Sequence, residues 1–365
     1  MALMVLGITF IILIIAAGMY VYRNLNYDKN VNSIIRKAGF VDMRATLPDG
    51  TILNYGECLR AGRDDNKTPL LLIHGHQSDW KDYYKVISAL TRKYRVYAVD
   101  CHGHGKSSKD VGKYTAKSMG EDFIWFIENV IKQPVVVSGH SMGGLIAAWL
   151  ADNSPENVIG LVIEDAPFFS TQVHRIKGTF AWIDGFEVIH KFLNQGEERN
   201  YTNYYLENCY VQKYFKKRWA GIKKCARNYM NRHPDRLVRI YYLPPSINRA
   251  FGLTSGPYDL HFGDKFYDGS WFEDFDQEST LEGIACPAIL IHTSWCYSKE
   301  GILLGAMDEK DAKKVSELMG LEYHLDVNSG HDFHYDKPKD FVKILLKFND
   351  SIVKTNDVRT KLFKI

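Results

Sequence analysis

The fold is decided by one stretch, Pro134-Val-Val-Val-Ser-Gly-His-Ser-Met-Gly-Gly-Leu-Ile-Ala-Ala-Trp149. Its β-branched beginning predicts a short buried strand at residues 135–137, and its apolar end predicts a helix from Leu145 onward. Between them lies Gly-His-Ser-Met-Gly, which places Ser141 where a strand turns sharply into a helix. Residues two positions before and after the serine must be small, because larger side chains would collide in so tight a turn. We therefore predict that the Ser141 hydroxyl projects into the open, above the positive end of a helix.

Short apolar strands alternate with helices on both sides of this stretch. Two strands over residues 39–47 and 51–59 precede it, joined by the turn Pro48-Asp49-Gly50. Further strands are predicted over residues 70–73, 96–99, 158–163, 288–292 and 322–327, and helices over 119–132, 308–319 and 338–348. This alternation predicts an α/β fold with a mostly parallel central sheet and helices on both faces. Ligands of such sheets bind beyond the carboxyl ends of the strands, where we expect four polar residues to converge: His74, Asp100, Ser141 and Asp165.

The pattern changes between residues 168 and 283, where aromatic and basic residues dominate and the sequence is mainly helical. We interpret this segment as a helical lid inserted after the sixth strand. The predicted organisation is an N-terminal anchor (1–22), a juxtamembrane linker (23–38), a first core segment (39–167), the lid or cap (168–283), a second core segment (284–355) and a C-terminal tail (356–365).

The N-terminal 22 residues carry no charged side chain, and a membrane span needs about 20 apolar residues. They therefore predict a transmembrane anchor. A cleaved signal peptide is the alternative, since Ala16-Ala17-Gly18 offers a cleavage site, but no basic residue precedes the apolar run. A buried core helix is a further alternative. The basic residues near the apolar run all follow it: Arg23, Lys29, Arg36 and Lys37. The positive-inside rule therefore predicts a single-pass membrane protein with its main domain on the cytoplasmic side.

Composition excludes several classes of function. The net charge of +3 over 365 residues is too small to argue for a nucleic-acid partner. The six cysteines are scattered without a C-x-x-C pair, which argues against a zinc site or a disulfide framework and fits a reducing compartment. The histidines near His102 lie in glycine turns without a carboxylate–histidine pair at ligand spacing, so we expect neither a metal nor a cofactor. The sequence leaves the oligomeric state open.

Four motifs in chain order carry a resemblance to a known family. They are His74-Gly75, Asp100-x-x-Gly103-His104-Gly105-x-Ser107, Gly139-His140-Ser141-Met142-Gly143 and Gly330-His331. In this order, each after its predicted strand, they resemble the α/β-hydrolase fold superfamily, of the esterase and lipase kind, over residues 40–353. The resemblance implies that Ser141 is a nucleophile and His331 its base, with His334 as the alternative base. It also implies an oxyanion hole made by the backbone N–H groups of Met142 and His76.

The acid of the implied triad is where the sequence departs from the family pattern. The usual position lies in the loop after residue 292, where Cys296 stands near the place of the common aspartate. Three carboxylates are candidates: Asp165 at the end of a strand, Glu300 in that loop, and Asp308, which could instead cap the following helix. We favour Asp165. The possibility that no carboxylate serves the histidine stays open.

Together with the predicted anchor, the resemblance implies a membrane-anchored serine hydrolase that cleaves a hydrophobic, lipid-like small-molecule ester through an acyl-enzyme. Thioesters, lactones and carbon–carbon bonds are cleaved by the same kind of site and are not distinguished by the sequence. A binding or scaffold protein without turnover is the alternative of another class. Residues 213–236 are rich in Lys and Arg with interleaved aromatics, which fits either a solvated lid helix or a surface that rests on anionic lipid.

Overall fold

The computed structural model describes residues 2–59, 66–253, 256–320, 324–326 and 328–362. These residues form ten strands. They are β1 (Phe40–Thr46), β2 (Ile52–Cys58), β3 (Thr68–Ile73), β4 (Tyr94–Val99), β5 (Val135–His140), β6 (Val158–Glu164), β7 (Ala288–Thr293), β8 (Cys296–Tyr297), β9 (Leu303–Leu304) and β10 (His324–Asp326). The last predicted strand, 322–327, lies partly outside the described residues.

Eight strands make the central sheet, in the order β1-β2-β4-β3-β5-β6-β7-β10. The first two pair antiparallel, and β2 pairs antiparallel with β4. From β4 to β10 every pairing is parallel. The predicted mostly parallel sheet is therefore confirmed. Its central strands are nearly continuous apolar runs because helices cover them on both faces.

The helices are α1 (Ala2–Leu25), α2 (Tyr27–Ala38), α3 (Ile87–Leu90), α4 (Ala116–Phe126), α5 (Met142–Asn153), α6 (Glu187–Leu193), α7 (Tyr201–Asn208), α8 (Gln212–Phe215), α9 (Trp219–Arg232), α10 (Pro245–Leu253), α11 (Leu260–Asp268), α12 (Gln277–Gly283), α13 (Glu309–Leu318), α14 (Phe333–Asp336) and α15 (Pro338–Leu362). Alternate residues of β3 show how the two layers are built. Leu71 packs into one core with Phe123 of α4, and Leu72 packs into the other with Phe341 of α15. Successive strand side chains point to opposite faces, so the sheet has an apolar core on each side.

Residues 168–283, which we call the cap, follow β6 and contain α6 to α12 before the chain returns to the sheet at β7. Part of the cap has its own apolar cluster, in which Trp219 and Ile222 of α9 pack on Phe251 of α10. On the outer side of α9, Lys223 and Arg227 form ion pairs with Glu207. Two of the basic residues of the segment 213–236 are therefore paired with an acidic residue of the protein itself.

The N-terminal helix α1 is long and apolar enough to cross a membrane between Met4 and Leu25, and its most apolar stretch of 18 residues is not buried in the protein. A signal sequence has the same length and composition, so this observation alone does not separate the two. Within the predicted linker 23–38, Tyr27–Ala38 form helix α2, which packs Val31 and Ile35 into the core. The apolar helix is thus joined to the sheet by a folded element.

Candidate active site

The strand-to-helix turn predicted around Ser141 is present. Strand β5 ends at His140, α5 begins at Met142, and Ser141 between them has φ 54° and ψ −123°, a conformation that side-chain-bearing residues rarely adopt. A Cβ atom on Gly143 would collide with the carbonyl oxygens of Ile73 and His74. The glycine two residues after the serine is therefore required by close packing of the turn against β3.

His331 and Asp165 meet at the carboxyl ends of the strands. The distance from His331 Nδ1 to Asp165 Oδ2 is 2.6 Å. Asp165 directly follows β6 and is buried, and it also accepts hydrogen bonds from Thr293, through the backbone N–H at 3.1 Å and through Oγ1 at 2.7 Å. Both carboxylate oxygens therefore have partners, and the imidazole is held by an acid that is itself held in place.

The two other candidate acids lie elsewhere. Glu300 accepts hydrogen bonds from Ser298 at 2.8 Å and Tyr210 at 3.0 Å. Asp308 caps α13 by accepting from the Asp311 N–H at 2.9 Å. Of the three predicted carboxylates, Asp165 is the one that the described hydrogen bonds join to His331.

His334, the alternative base, does not line the cavity that contains Ser141. Its side chain is fully buried, and both its backbone N–H and its Nδ1 bond Glu164, at 2.7 and 2.8 Å. Glu164 precedes Asp165 at the end of β6, so strand alternation sends the two carboxylates to different histidines. Of the two histidines, His331 is the one that lines the cavity containing Ser141.

The two groups predicted as oxyanion donors, the backbone N–H groups of Met142 and His76, belong to residues that line this cavity beside Ser141. Between described residues, neither N–H donates to another backbone group. The His76 ring is bonded to the Tyr258 hydroxyl. Burial lowers the pKa of His76 to about 3, so its ring is neutral at pH 7. Both N–H groups are thus available to a ligand.

His74 and Asp100 hold the loops around the site. His74 Nε2 accepts a hydrogen bond from the Cys101 N–H at 3.0 Å. Asp100 accepts from the backbone N–H groups of Trp80 at 2.8 Å and Lys106 at 2.9 Å. Each side chain is engaged with the loops, so we assign both a structural role.

The cavity above Ser141 has a volume of about 680 Å³ and lies between the core and the cap. Phe186, Phe266 and Tyr214 of the cap contribute aromatic surface to its wall. Between described residues, no hydrogen bond joins Ser141 Oγ to His331, although both line the cavity. Contacts of this kind are often long in ligand-free enzymes and tighten when substrate binds. A larger cavity of about 920 Å³ lies between the cap and Asp28 of α2 and does not include the serine.

The amino-acid sequence shows the family to which this fold belongs. A sequence model for the α/β hydrolase fold matches residues 68–338, more than half of the chain. The chain belongs to the α/β-hydrolase fold family.

Relatives of this α/β hydrolase include the 1-acylglycerol-3-phosphate O-acyltransferase of Arabidopsis thaliana, 29% identical over 142 residues, which are 36% of this chain and 33% of the relative. Another is the soluble epoxide hydrolase of Corynebacterium sp. (strain C12), 32% identical over 97 residues, 27% of this chain and 34% of the relative. The chain spans about a third of the length of these relatives.

Solved structures resemble it over nearly its whole length. A membrane phospholipase A described as a bacterial virulence factor has a TM-score of 0.60 at 20% identity and covers 96% of this chain and 99% of its own. An esterase from Exiguobacterium antarcticum has a TM-score of 0.56 at 17% identity and covers 85% of this chain and 100% of its own. At these identities the likeness shows the shared fold.

The charge of Asp165 governs the electrostatics of this α/β-hydrolase site. Burial lowers the pKa of His331, but the hydrogen bond to Asp165 and its charge outweigh burial and raise that pKa to about 9. The His331 side chain is 42% exposed, so solvent weakens both effects. Burial raises the pKa of Asp165, and the bond to His331 overcomes this and lowers it. The acid is therefore charged at neutral pH.

An ion network that lines the Ser141 cavity beside His331 was missed by the sequence analysis. Arg249 of α10 forms ion pairs with Asp82 and, at 2.9 Å, with Asp332, the neighbour of His331. Asp82 Oδ1 also lies 3.5 Å from His334 Nε2. These contacts join the cap to the core next to the proposed base. They link residues far apart in the sequence, and no sequence motif predicts them.

One cluster near the site has donor atoms close enough to hold a metal ion, with ligand atoms of His140, His331 and Asp332 within 4.8 Å of one another. Most of these groups already have protein partners. His140 Nε2 lies 3.1 Å from the His331 carbonyl oxygen, His331 Nδ1 is bonded to Asp165, and Asp332 is paired with Arg249. We therefore assign the cluster to the hydrolase site.

Proposed function

We propose that this protein is a membrane-anchored serine hydrolase that cleaves a carboxylic ester through an acyl-enzyme, with Ser141, His331 and Asp165 as its triad. The observation that carries the proposal is the 2.6 Å contact between His331 Nδ1 and Asp165, in a cavity shared with a serine in a strained turn. Geometry of this kind activates a serine, which is a weak nucleophile at its own pKa.

In the proposed mechanism, Ser141 Oγ attacks the ester carbonyl carbon while His331 Nε2 takes the hydroxyl proton. The N–H groups of Met142 and His76 stabilise the negative charge on the carbonyl oxygen. His331 then returns the proton to the leaving alcohol. A water molecule then attacks the acyl-enzyme while His331 takes its proton; the bond from the acyl carbon to Ser141 Oγ breaks, Oγ receives that proton, and the carboxylic acid product leaves. Throughout, the charge of Asp165 stabilises the imidazolium.

The substrate we propose is a hydrophobic, lipid-like ester. Phe186 and Phe266 offer apolar surface to an acyl chain, and a cavity of about 680 Å³ lies within the usual range for small-molecule sites. The Arabidopsis relative is named for acyl transfer to 1-acylglycerol-3-phosphate, and one structural neighbour is a phospholipase A. Both names agree with a lipid substrate. Epoxide hydrolases of this fold generally attack with an aspartate, so Ser141 argues against that activity.

We also propose that α1 is retained as an anchor and that the basic residues after it keep the catalytic domain on the cytoplasmic side. Alkaline carbonate should leave the protein in the membrane. Protease added to sealed vesicles of cytoplasmic-side-in orientation should spare the domain. Release by carbonate would instead indicate a cleaved signal sequence.

A fluorophosphonate probe tests the nucleophile. The probe should label the detergent-solubilised protein, and Ser141→Ala should abolish labelling. Ser246 lines the same cavity, so Ser246→Ala is the matched control and should keep labelling. Labelling that survives Ser141→Ala would overturn the assignment. A panel of esters, thioesters and lactones then separates the reactions that share this mechanism.

The alternative of a binding protein without turnover arose from the missing aspartate after residue 292. The 2.6 Å contact between Asp165 and His331 Nδ1 supports the enzyme over this alternative. Turnover of an activated ester that is lost in both Ser141→Ala and His331→Ala would exclude the alternative.

A further inference from the structure

The C-terminal end of the apolar helix α1 is hydrogen-bonded to a turn of the cap at Tyr241 and Tyr242. Asn24 is fully buried, and its Nδ2 donates to the Tyr241 carbonyl oxygen at 3.0 Å. Tyr20 Oη, one turn earlier, donates to the Tyr242 carbonyl oxygen at 3.3 Å. Just beyond α1, Asp28 pairs with the buried Arg239 at 3.2 Å. Polar contacts therefore hold the last turn of α1 against residues 239–242.

This cap turn is rigid on its protein side. The buried amide of Asn248 accepts from the Ile240 N–H at 2.7 Å and donates to the carbonyl oxygens of Ile240 and Leu243, both at 2.8 Å. The side chains of Tyr241 and Tyr242 face outward, 50% and 39% exposed. Two aromatic rings are thus presented at a fixed position next to the end of α1.

We infer that the Tyr241–Tyr242 turn docks the cap onto the phospholipid bilayer at the headgroup level and so directs the active-site cavity toward membrane lipid. The inference rests on the proposed membrane anchor. If α1 crosses the bilayer, its last helical turn lies at the membrane surface. The Tyr241–Tyr242 turn is hydrogen-bonded to that end of α1 and therefore lies at the membrane surface as well. Tyrosine favours this position because its ring is apolar and its hydroxyl is polar.

The same turn leads directly into the cavity wall. Helix α10 begins at Pro245, and its residues Ser246 and Ala250 line the cavity that contains Ser141. Six helical residues span only about 9 Å at 1.5 Å per residue. The route from the docked turn to the cavity is therefore short. A lipid ester can enter from the bilayer without crossing bulk water.

Tryptophan fluorescence in phosphatidylcholine vesicles tests the docking directly. The full-length protein carries Tyr241→Trp or, as the control, Tyr297→Trp, since Tyr297 on β8 is equally exposed at 49%. Lipids brominated near the headgroup should quench the emission added at position 241 and leave that added at 297 unchanged. Unquenched emission at 241, with the protein still resistant to carbonate extraction, would overturn the inference.

Activity provides the second measurement. Tyr241→Ser should lower hydrolysis of a long-chain ester embedded in vesicles several-fold, while hydrolysis of a water-soluble short-chain ester stays at the wild-type rate. Tyr297→Ser should leave the ratio of the two rates unchanged. An unaltered ratio in Tyr241→Ser would contradict lipid entry at this turn. Failure of the proposed function can be told apart from failure of this inference. A protein that the fluorophosphonate does not label would lack the proposed hydrolase activity, but its quenching result would still test the docking. Release of the protein by carbonate would contradict the anchor and the docking together.

Discussion

Asp165→Asn changes one atom in the buried acid and should nearly abolish turnover. The Thr293 N–H donates to Asp165 Oδ1 at 3.1 Å, so the asparagine must keep an oxygen at that position. Its amide nitrogen then takes the place of Oδ2, which lies 2.7 Å from Thr293 Oγ1 and 2.6 Å from His331 Nδ1. An amide nitrogen donates hydrogen bonds. It therefore pairs with an unprotonated Nδ1 and forces the His331 proton onto Nε2, where the imidazole can no longer act as a base.

The size of the effect follows from that tautomer. In a well-studied serine protease triad, the equivalent change lowers kcat by about 10⁴-fold, or about 5.4 kcal/mol at 1.36 kcal/mol per decade. His331 is 42% exposed here, so water can stabilise some of the productive tautomer. We therefore expect kcat to fall by about 10³- to 10⁴-fold, with KM little changed because Asp165 is buried away from the substrate.

The assay is steady-state hydrolysis of a water-soluble ester, with binding followed separately by a non-hydrolysable analogue. Glu300→Gln is the matched control, since it removes a charge from an exposed loop carboxylate, and it should cost less than about tenfold. If Asp165→Asn retains kcat within tenfold of wild type, or if Glu300→Gln has the larger effect, then the assignment of the acid is wrong.

Three further predictions concern the charges around the site. The kcat/KM of the wild type should rise with pH as His331 loses its proton, with an apparent pKa well above 6.5 and toward 9, and Asp165→Asn should move this limb to lower pH; a limb at or below 6.5 in the wild type would contradict this. Arg249→Gln leaves the buried carboxylate of Asp82 and the half-buried carboxylate of Asp332 without their cation, and it should cost about 3–5 kcal/mol of unfolding free energy, measured by denaturant titration. Arg227→Gln is the control, since its exposed ion pair with Glu207 should contribute no more than about 1 kcal/mol. If Arg227→Gln lowered the unfolding free energy as much as Arg249→Gln, burial would not explain the larger effect. Burial lowers the pKa of His334, but its acidic neighbours raise it to about 10, so its stabilising charge is fully present below pH 6.5 and is lost as pH rises through 10. Between pH 6.5 and pH 10 the melting temperature should fall in the wild type and fall less in His334→Gln. If the melting temperatures of the two proteins changed equally with pH, a stabilising charge on His334 would be refuted.

The sequence by itself determined the local geometry of this protein. Continuous apolar runs predicted the buried strands, and Gly139-His140-Ser141-Met142-Gly143 predicted the strand-to-helix turn. Both were confirmed, because they depend on periodicity and on steric crowding within a few residues. The mostly parallel sheet followed from the alternation of strands and helices, since short connections between them leave few other arrangements.

Only the tertiary structure decided which side chains meet. Asp165 and His331 are 166 residues apart in the chain, and the three carboxylates could be ranked but not separated until the order of β6, β7 and β10 placed one beside the imidazole. Arg249 and the Tyr241–Tyr242 turn lie in a cap whose path no strand pattern determines. Contacts at such separations are set by how the sheet orders its strands and how the cap packs on them, and local periodicity carries no information about either.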